Sequence, residues 1–131
     1  MNKRLKKVIV STFILGISMT GMSAFAREVQ TLSSFALPTY QTVVSTGGLT
    51  KSTTNAPWVL NITSLSNASS VDTYLANSNG DRRSDYTVVG TGRHEIPSSG
   101  QSGYTYKAVL MNHSSQSATG YITGSWSPDN K

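Results

Sequence analysis

The sequence predicts an all-β fold: a small antiparallel β-sandwich of about seven strands behind a cleaved N-terminal signal peptide. Three observations predict it. Beyond residue 26, short runs alternate apolar and polar side chains, the period-two signature of half-buried strands. Clusters of Gly, Asn, Asp, Ser and Pro punctuate these runs at intervals of roughly 8–15 residues, and no stretch of useful length carries the helical period. Tyr, Trp, Val, Ile and Thr, the side chains that suit a pleated surface, fill the alternating positions. A small closed barrel is the runner-up architecture.

Residues 1–26 read as a targeting segment. Lys3, Arg4, Lys6 and Lys7 form a basic start. Val8 to Met22 is an apolar run broken only by Ser, Thr and Gly, and Ala24-Phe25-Ala26 is a small-x-small cleavage site. The run is shorter than the ~20 apolar residues a membrane span needs. Cleavage is expected to leave no membrane span and to place the chain outside the cell.

Residues 27–56 form an N-terminal segment with one expected strand. Arg27 to Leu37 (REVQTLSSFAL) is weakly patterned. It reads as a turn of helix or a loose edge strand, mobile or only partly docked, that ends at Pro38. Thr39 to Ser45 is the first expected strand, with Tyr40, Thr42 and Val44 on one face, and Thr46-Gly47-Gly48 breaks it. Leu49 to Ala56 is polar and loop-like.

Residues 57–131 form the main part of the single domain. Pro57 fits a strand start. Trp58, Leu60 and Ile62 then share a face, and Ser64 to Ser70 reads as a loop. Val71 to Ala76 places Val71, Thr73 and Leu75 on one face and Asp72, Tyr74 and Ala76 on the other. Asn77 to Asp81 is a dense turn, sharpest at Asn79-Gly80. Ser84 to Val89 and Arg93 to Ile96 are short strands around Gly90-Thr91-Gly92, and Ser98 to Gly103 is a flexible connection. Tyr104 to Met111 and Ala118 to Trp126 read as two neighbouring antiparallel strands joined by a polar loop. Gly120 and Gly124, set beside aromatics, mark a bulge or leave room for a neighbour. Trp58 and Trp126 belong to the core by their alternation, and residues 128–131 read as a tail.

The charge pattern excludes one class of partner. The chain has 11 Lys+Arg against 6 Asp+Glu, a net charge of +5. Four of the basic residues lie in the leader, so 7 basic and 6 acidic residues remain after Ala26. No basic stripe survives, and nucleic-acid binding loses its electrostatic footing. There is no cysteine to staple an exported fold. Ser and Thr supply 32 of the 105 residues after Ala26, which makes the surface wettable but nearly uncharged. The regularly spaced aromatics argue against a disordered Ser/Thr stalk.

No residue set has the spacing of a catalytic or metal site. His94, Glu95 and His113 lack the H-x-x-x-H and H-E-x-x-H patterns and read as exposed turn residues. No G-x-S-x-G elbow accompanies the many serines. Asp72, Asp81, Asp85 and Glu95 would need a cleft to act as a glycosidase pair, and a chain this short has little room for one. Asn79-Gly80-Asp81 lacks the full calcium-loop pattern. The expectation is therefore no enzyme, no cofactor and no metal. The candidate ligand contacts are Tyr74 and Tyr86, as stacking aromatics, and Arg82 and Arg83, as grips on an anionic partner. Local pairing of the arginines with Asp81 and Asp85 is the bland alternative.

The runs NAPWVLNIT, TYLANSNGDRRSDYTVVGTG, YTYKAVLMN and ATGYITGSWSPDN, over about residues 53–130, resemble an uncharacterised family of small secreted proteins of Gram-positive bacteria, a domain of unknown function. The likeness rests on Pro57-Trp58 before an alternating strand, on Ser84-Asp85 ahead of Thr87-Val88, and on the closing Gly124-x-Trp126. Size and leader are similar to those of small exported β-sandwich bacteriocins of the lactococcin 972 type. The resemblance implies a secreted, non-enzymatic β-sandwich, bacteriocin-like or otherwise envelope-directed. A carbohydrate- or cell-wall-binding module is the alternative. Expected partners are a cell-envelope component or glycan and, through strand edges, further copies of the chain. No catalytic residue comes with the resemblance.

Overall fold

The structure is a computed structural model that describes residues 26–114 and 117–131. The leader expected over 1–26 lies outside the described residues, Ala26 excepted. Nine strands follow in chain order: β1 Gln30–Leu37, β2 Val44–Ser45, β3 Leu49–Thr50, β4 Trp58–Ser66, β5 Val71–Asn77, β6 Thr87–Val89, β7 Gly92–Ile96, β8 Thr105–Asn112 and β9 Gly120–Ser127. No helix occurs among the described residues.

The strands form two antiparallel sheets. One has four strands in the order β1-β9-β4-β7. In the other, β2 and β3 lie along one side of β8, with β5 and then β6 on its far side. Leu32, Leu37, Trp58, Leu60, Ile62, Ile96, Ile122 and Trp126 from the first sheet meet Val71, Leu75, Val89, Tyr106, Ala108 and Leu110 from the second in one core. This is the arrangement of a β-sandwich, with more and shorter strands than the seven expected. Trp58 and Trp126 are fully buried and meet edge to face, with ring centroids 6.4 Å apart at 78°.

The strands around Tyr104 and Trp126 are not neighbours. β8 and β9 are inner strands of opposite sheets, and the connection between them crosses from one sheet to the other. It runs beside the link from β4 to β5. Asn112 Nδ2 donates to the Asn67 carbonyl, Asn67 Nδ2 to that of Thr119, and the His113 N–H to that of Ser70. A polar connector between two alternating runs reads the same whether the chain turns back or crosses over.

The N-terminal segment is docked, not mobile. β1 pairs along β9, and Leu32 and Leu37 are buried. A bulge between Leu32 and Phe35 inserts one extra residue, and Ser34 takes a positive φ of 46° there. The bulge switches which face odd and even residues occupy, so the run looked unpatterned. β4 carries a matching bulge at Thr63, which extends it to Ser66 and turns Leu65 toward the core. Both bulges lie against Gly124. A Cβ at that position would overlap the carbonyl oxygen of Asn61.

Three further expectations are corrected. Thr39 to Thr42 forms a turn with positive φ at Tyr40 and Gln41, so only Val44–Ser45 remains as strand. The polar stretch after Leu49 starts as β3 and carries a fully buried lysine, Lys51. Residues 128–131 are no free tail, because Pro128 and Asp129 are buried and Asp129 faces that lysine.

The sheet edges carry devices that discourage strand addition. β1 is bulged, β6 has three residues, and β2 and β3 are separated by Thr46-Gly47-Gly48. β7 presents an Arg93–Glu95 pair 2.7 Å apart, and the Arg93 hydrogen bond holds the Glu95 carboxyl below its ordinary range.

Candidate functional site

The outer face of the five-stranded sheet gathers most of the sequence-predicted ligand contacts. Alternation along β5 turns Val71, Thr73 and Leu75 inward and leaves Asp72, Tyr74 and Ala76 on the outer side. The register sets Asp72 between Met111 of β8 and Val88 of β6, Tyr74 opposite Val109, and Ala76 opposite Lys107. Tyr86 precedes β6 by one residue and stands two residues from Val88, on the same side.

Asp72 is the hub of this face. Only 6% of it is exposed. Its Oδ2 accepts the Tyr86 hydroxyl at 2.6 Å, and its Oδ1 meets His113 Nδ1 at 2.6 Å. The hydrogen bond to Asp72, then burial and the negative charge of Asp72, push the Tyr86 hydroxyl up to about 12. With both oxygens engaged, the carboxylate braces an aromatic ring on one side and an imidazole on the other. Such an Asp–His contact fixes the ring's orientation. His113 is exposed in a bend after β8, as expected, and its ring is tied into this cluster by Asp72.

Tyr74 and Tyr86 come together with centroids 6.2 Å apart and a tilt of 32°. Tyr86 is 46% exposed, with Val88 exposed beside it on β6 and Val43 exposed next to β2, across β8 and β5. A groove of about 330 Å³ runs from Tyr74 past Lys107 and Val109 to Val43 and Val44. A separate, more polar depression of about 530 Å³ lies on the other side of Tyr86, lined by Arg82 and Asp85 and by Glu95 of β7.

The two arginines border one hollow with Asp85, Pro97 and Ser99, but otherwise differ in their surroundings. Arg82 pairs opposite Ala76 and shares the depression beside Tyr86. Arg83 is the next residue of an extended segment, so it faces the other way. It lines a separate hollow with Ser99 and Tyr104, and its guanidinium lies 3.8 Å from Asp81. Arg82 also shares its depression with Asp85 and Glu95, which weakens a purely anion-gripping role. The alternation of β5 puts Asp72 on the face of Tyr74, as the sequence implies, but does not mark it as a hub. His113, Val43 and Val88 join this face without a local signal, and His113 lies 41 residues from Asp72.

Among the described residues, no group of three His, Cys, Asp or Glu side chains is placed to hold a metal ion. No helix of the described residues is long and apolar enough to cross a membrane. Comparisons with protein-family models, curated proteins and solved structures return no match.

Proposed function

We propose that the chain is an exported, non-enzymatic β-sandwich protein that binds a component of the cell envelope through the outer face of its five-stranded sheet. The observation that carries this reading is the Tyr74–Tyr86 pair on a paired sheet, with Tyr74 half-buried and Tyr86 exposed and braced by Asp72. Tyrosine rings combine an apolar face with a polar tip and lose little entropy on contact, which suits partly wet surfaces. Sugar rings present apolar C–H faces to such side chains, so a wall glycan is the ligand class favoured here. Export rests on the basic, apolar and Ala-x-Ala order of residues 1–26.

The test uses the chain from Arg27 onward, co-sedimented with purified Gram-positive cell walls. Wild type is retained, and the Tyr74→Ala/Tyr86→Ala double variant is retained at least about tenfold less, as removing a paired aromatic anchor does. Circular dichroism confirms that the variant is folded. Equal retention of a folded variant refutes the sheet-face reading. A bacteriocin-like role adds a second measurement, growth inhibition of related strains by the purified chain. N-terminal sequencing of the protein from culture medium tests export, with Arg27 as the expected first residue.

A further inference from the structure

Lys51 and Asp129 are sealed inside the fold, with no side-chain exposure on either. They lie 78 residues apart in sequence, one just after β3 and the other after β9, and Nζ stands 3.4 Å from Oδ1. We propose that these two side chains are joined by an intramolecular amide bond between Lys51 Nζ and Asp129 Cγ.

The surroundings fit the reaction and its product. Each carboxyl oxygen already faces a backbone N–H: Ser52 N is 2.7 Å from Oδ2, and Thr53 N is 3.0 Å from Oδ1. Whichever oxygen becomes the oxyanion of the tetrahedral adduct is therefore held by a fixed donor. The ammonium passes one proton to the carboxylate. The neutral amine then adds to Cγ and forms the C–N bond. One C–O bond breaks, and the leaving hydroxyl departs as water with a proton from nitrogen. Ammonium and carboxylate become an amide and one water, with no oxidant, reductant or further reactant. Burial lowers the proton affinity of Lys51 despite the opposing pull of Asp129, which favours the neutral amine. Fixed contact in a dry site supplies the proximity such a condensation needs.

Hydrogen bonding closes after the bond forms. The ammonium now donates to the carbonyls of Ala56 and Pro128 and to Asp129. The amide keeps one N–H, which suffices for Pro128. Ala56 retains a donor at 2.8 Å in the Ser98 hydroxyl. An N–H freed by the departing oxygen belongs to Ser52 or Thr53, neither of which is buried, so water can serve it. The product also removes two charges that are costly to keep from water. In a chain without cysteine it ties the segment after β9 to the link between β3 and β4.

Intact mass spectrometry of the denatured full-length secreted protein decides the matter, with its N-terminus fixed by sequencing. The expected mass is one water below that of the sequence. Tryptic digestion is expected to yield one branched peptide holding Lys51 and Asp129, with no cleavage after Lys51. Lys51→Arg and Asp129→Ala are expected at their full sequence masses. A wild-type chain at its full sequence mass overturns the proposal, whether or not the variants fold. That outcome leaves the wall-binding reading untouched, because the sheet face contains neither residue.

Discussion

Asp129→Ala is the sharpest test of how the fold is closed. Asp129 sits in what looks like a polar C-terminal tail, where an alanine substitution should cost almost nothing. In the structure it is fully buried and serves three donors: Lys51 Nζ, Ser52 N–H and Thr53 N–H. The substitution strands the Lys51 amine in a sealed site. Breaking a buried pair by deleting one partner costs about 3–5 kcal/mol. A domain of this size has a total stability of about 5–15 kcal/mol, so the variant should lose a large share of it. Urea unfolding followed by tryptophan fluorescence reads the loss directly, because Trp58 and Trp126 report the core. Burial holds Lys51 below 10.5, so between its lowered value and 10.5 the unfolded chain binds more protons than the folded one. Stability of the variant should then rise with pH across that window. A loss under ~1 kcal/mol would show that the pair does not close the fold.

Other substitutions test separate parts of the structure. Leu37→Ala should cost about 2–5 kcal/mol in thermal or urea unfolding, because β1 is docked core; a near-zero effect would return the segment to a loose arm. Gly124→Ala places a Cβ onto the Asn61 carbonyl between two bulges and should destabilise by about 1–3 kcal/mol. An unchanged urea midpoint would contradict that close approach. Tyr86 should ionise late, near pH 12, in an ultraviolet titration of the folded protein. Its folded value is raised, so its contribution to stability is complete below pH 10 and is lost as pH rises toward about 12. Tyr86→Phe should abolish that late step; a late step that persists in the variant would place the perturbed group elsewhere.

Alternation made individual strands legible wherever it ran unbroken. Trp58, Leu60 and Ile62, then Val71, Thr73 and Leu75, then Tyr106, Ala108 and Leu110 all face the core as their spacing implies. It failed where a bulge changes parity, since Leu32 and Leu37 are five apart yet share a face across the extra residue near Ser34. It also says nothing about partners. Alternation turns Tyr104 and Tyr106 the same way, but only Tyr106 enters the core, because Tyr104 lies just outside β8. Every connection except β2 to β3 and β5 to β6 passes from one sheet to the other, so few strand pairs are local. Contacts of this kind must close long loops before they stabilise anything, and such chains fold slowly. The same non-locality hid both polar clusters. Asp72 with His113, and Lys51 with Asp129, each join residues far apart in sequence, and only the finished register brings them within reach. The arginines, expected as a joint grip, differ in surroundings: Arg82 stands beside Tyr86 and Arg83 beside Tyr104, a difference set by tertiary placement. The sheet face should therefore tolerate loss of Arg83 far better than loss of Tyr86, and wall retention of Arg83→Ala at the wild-type level is the matching result.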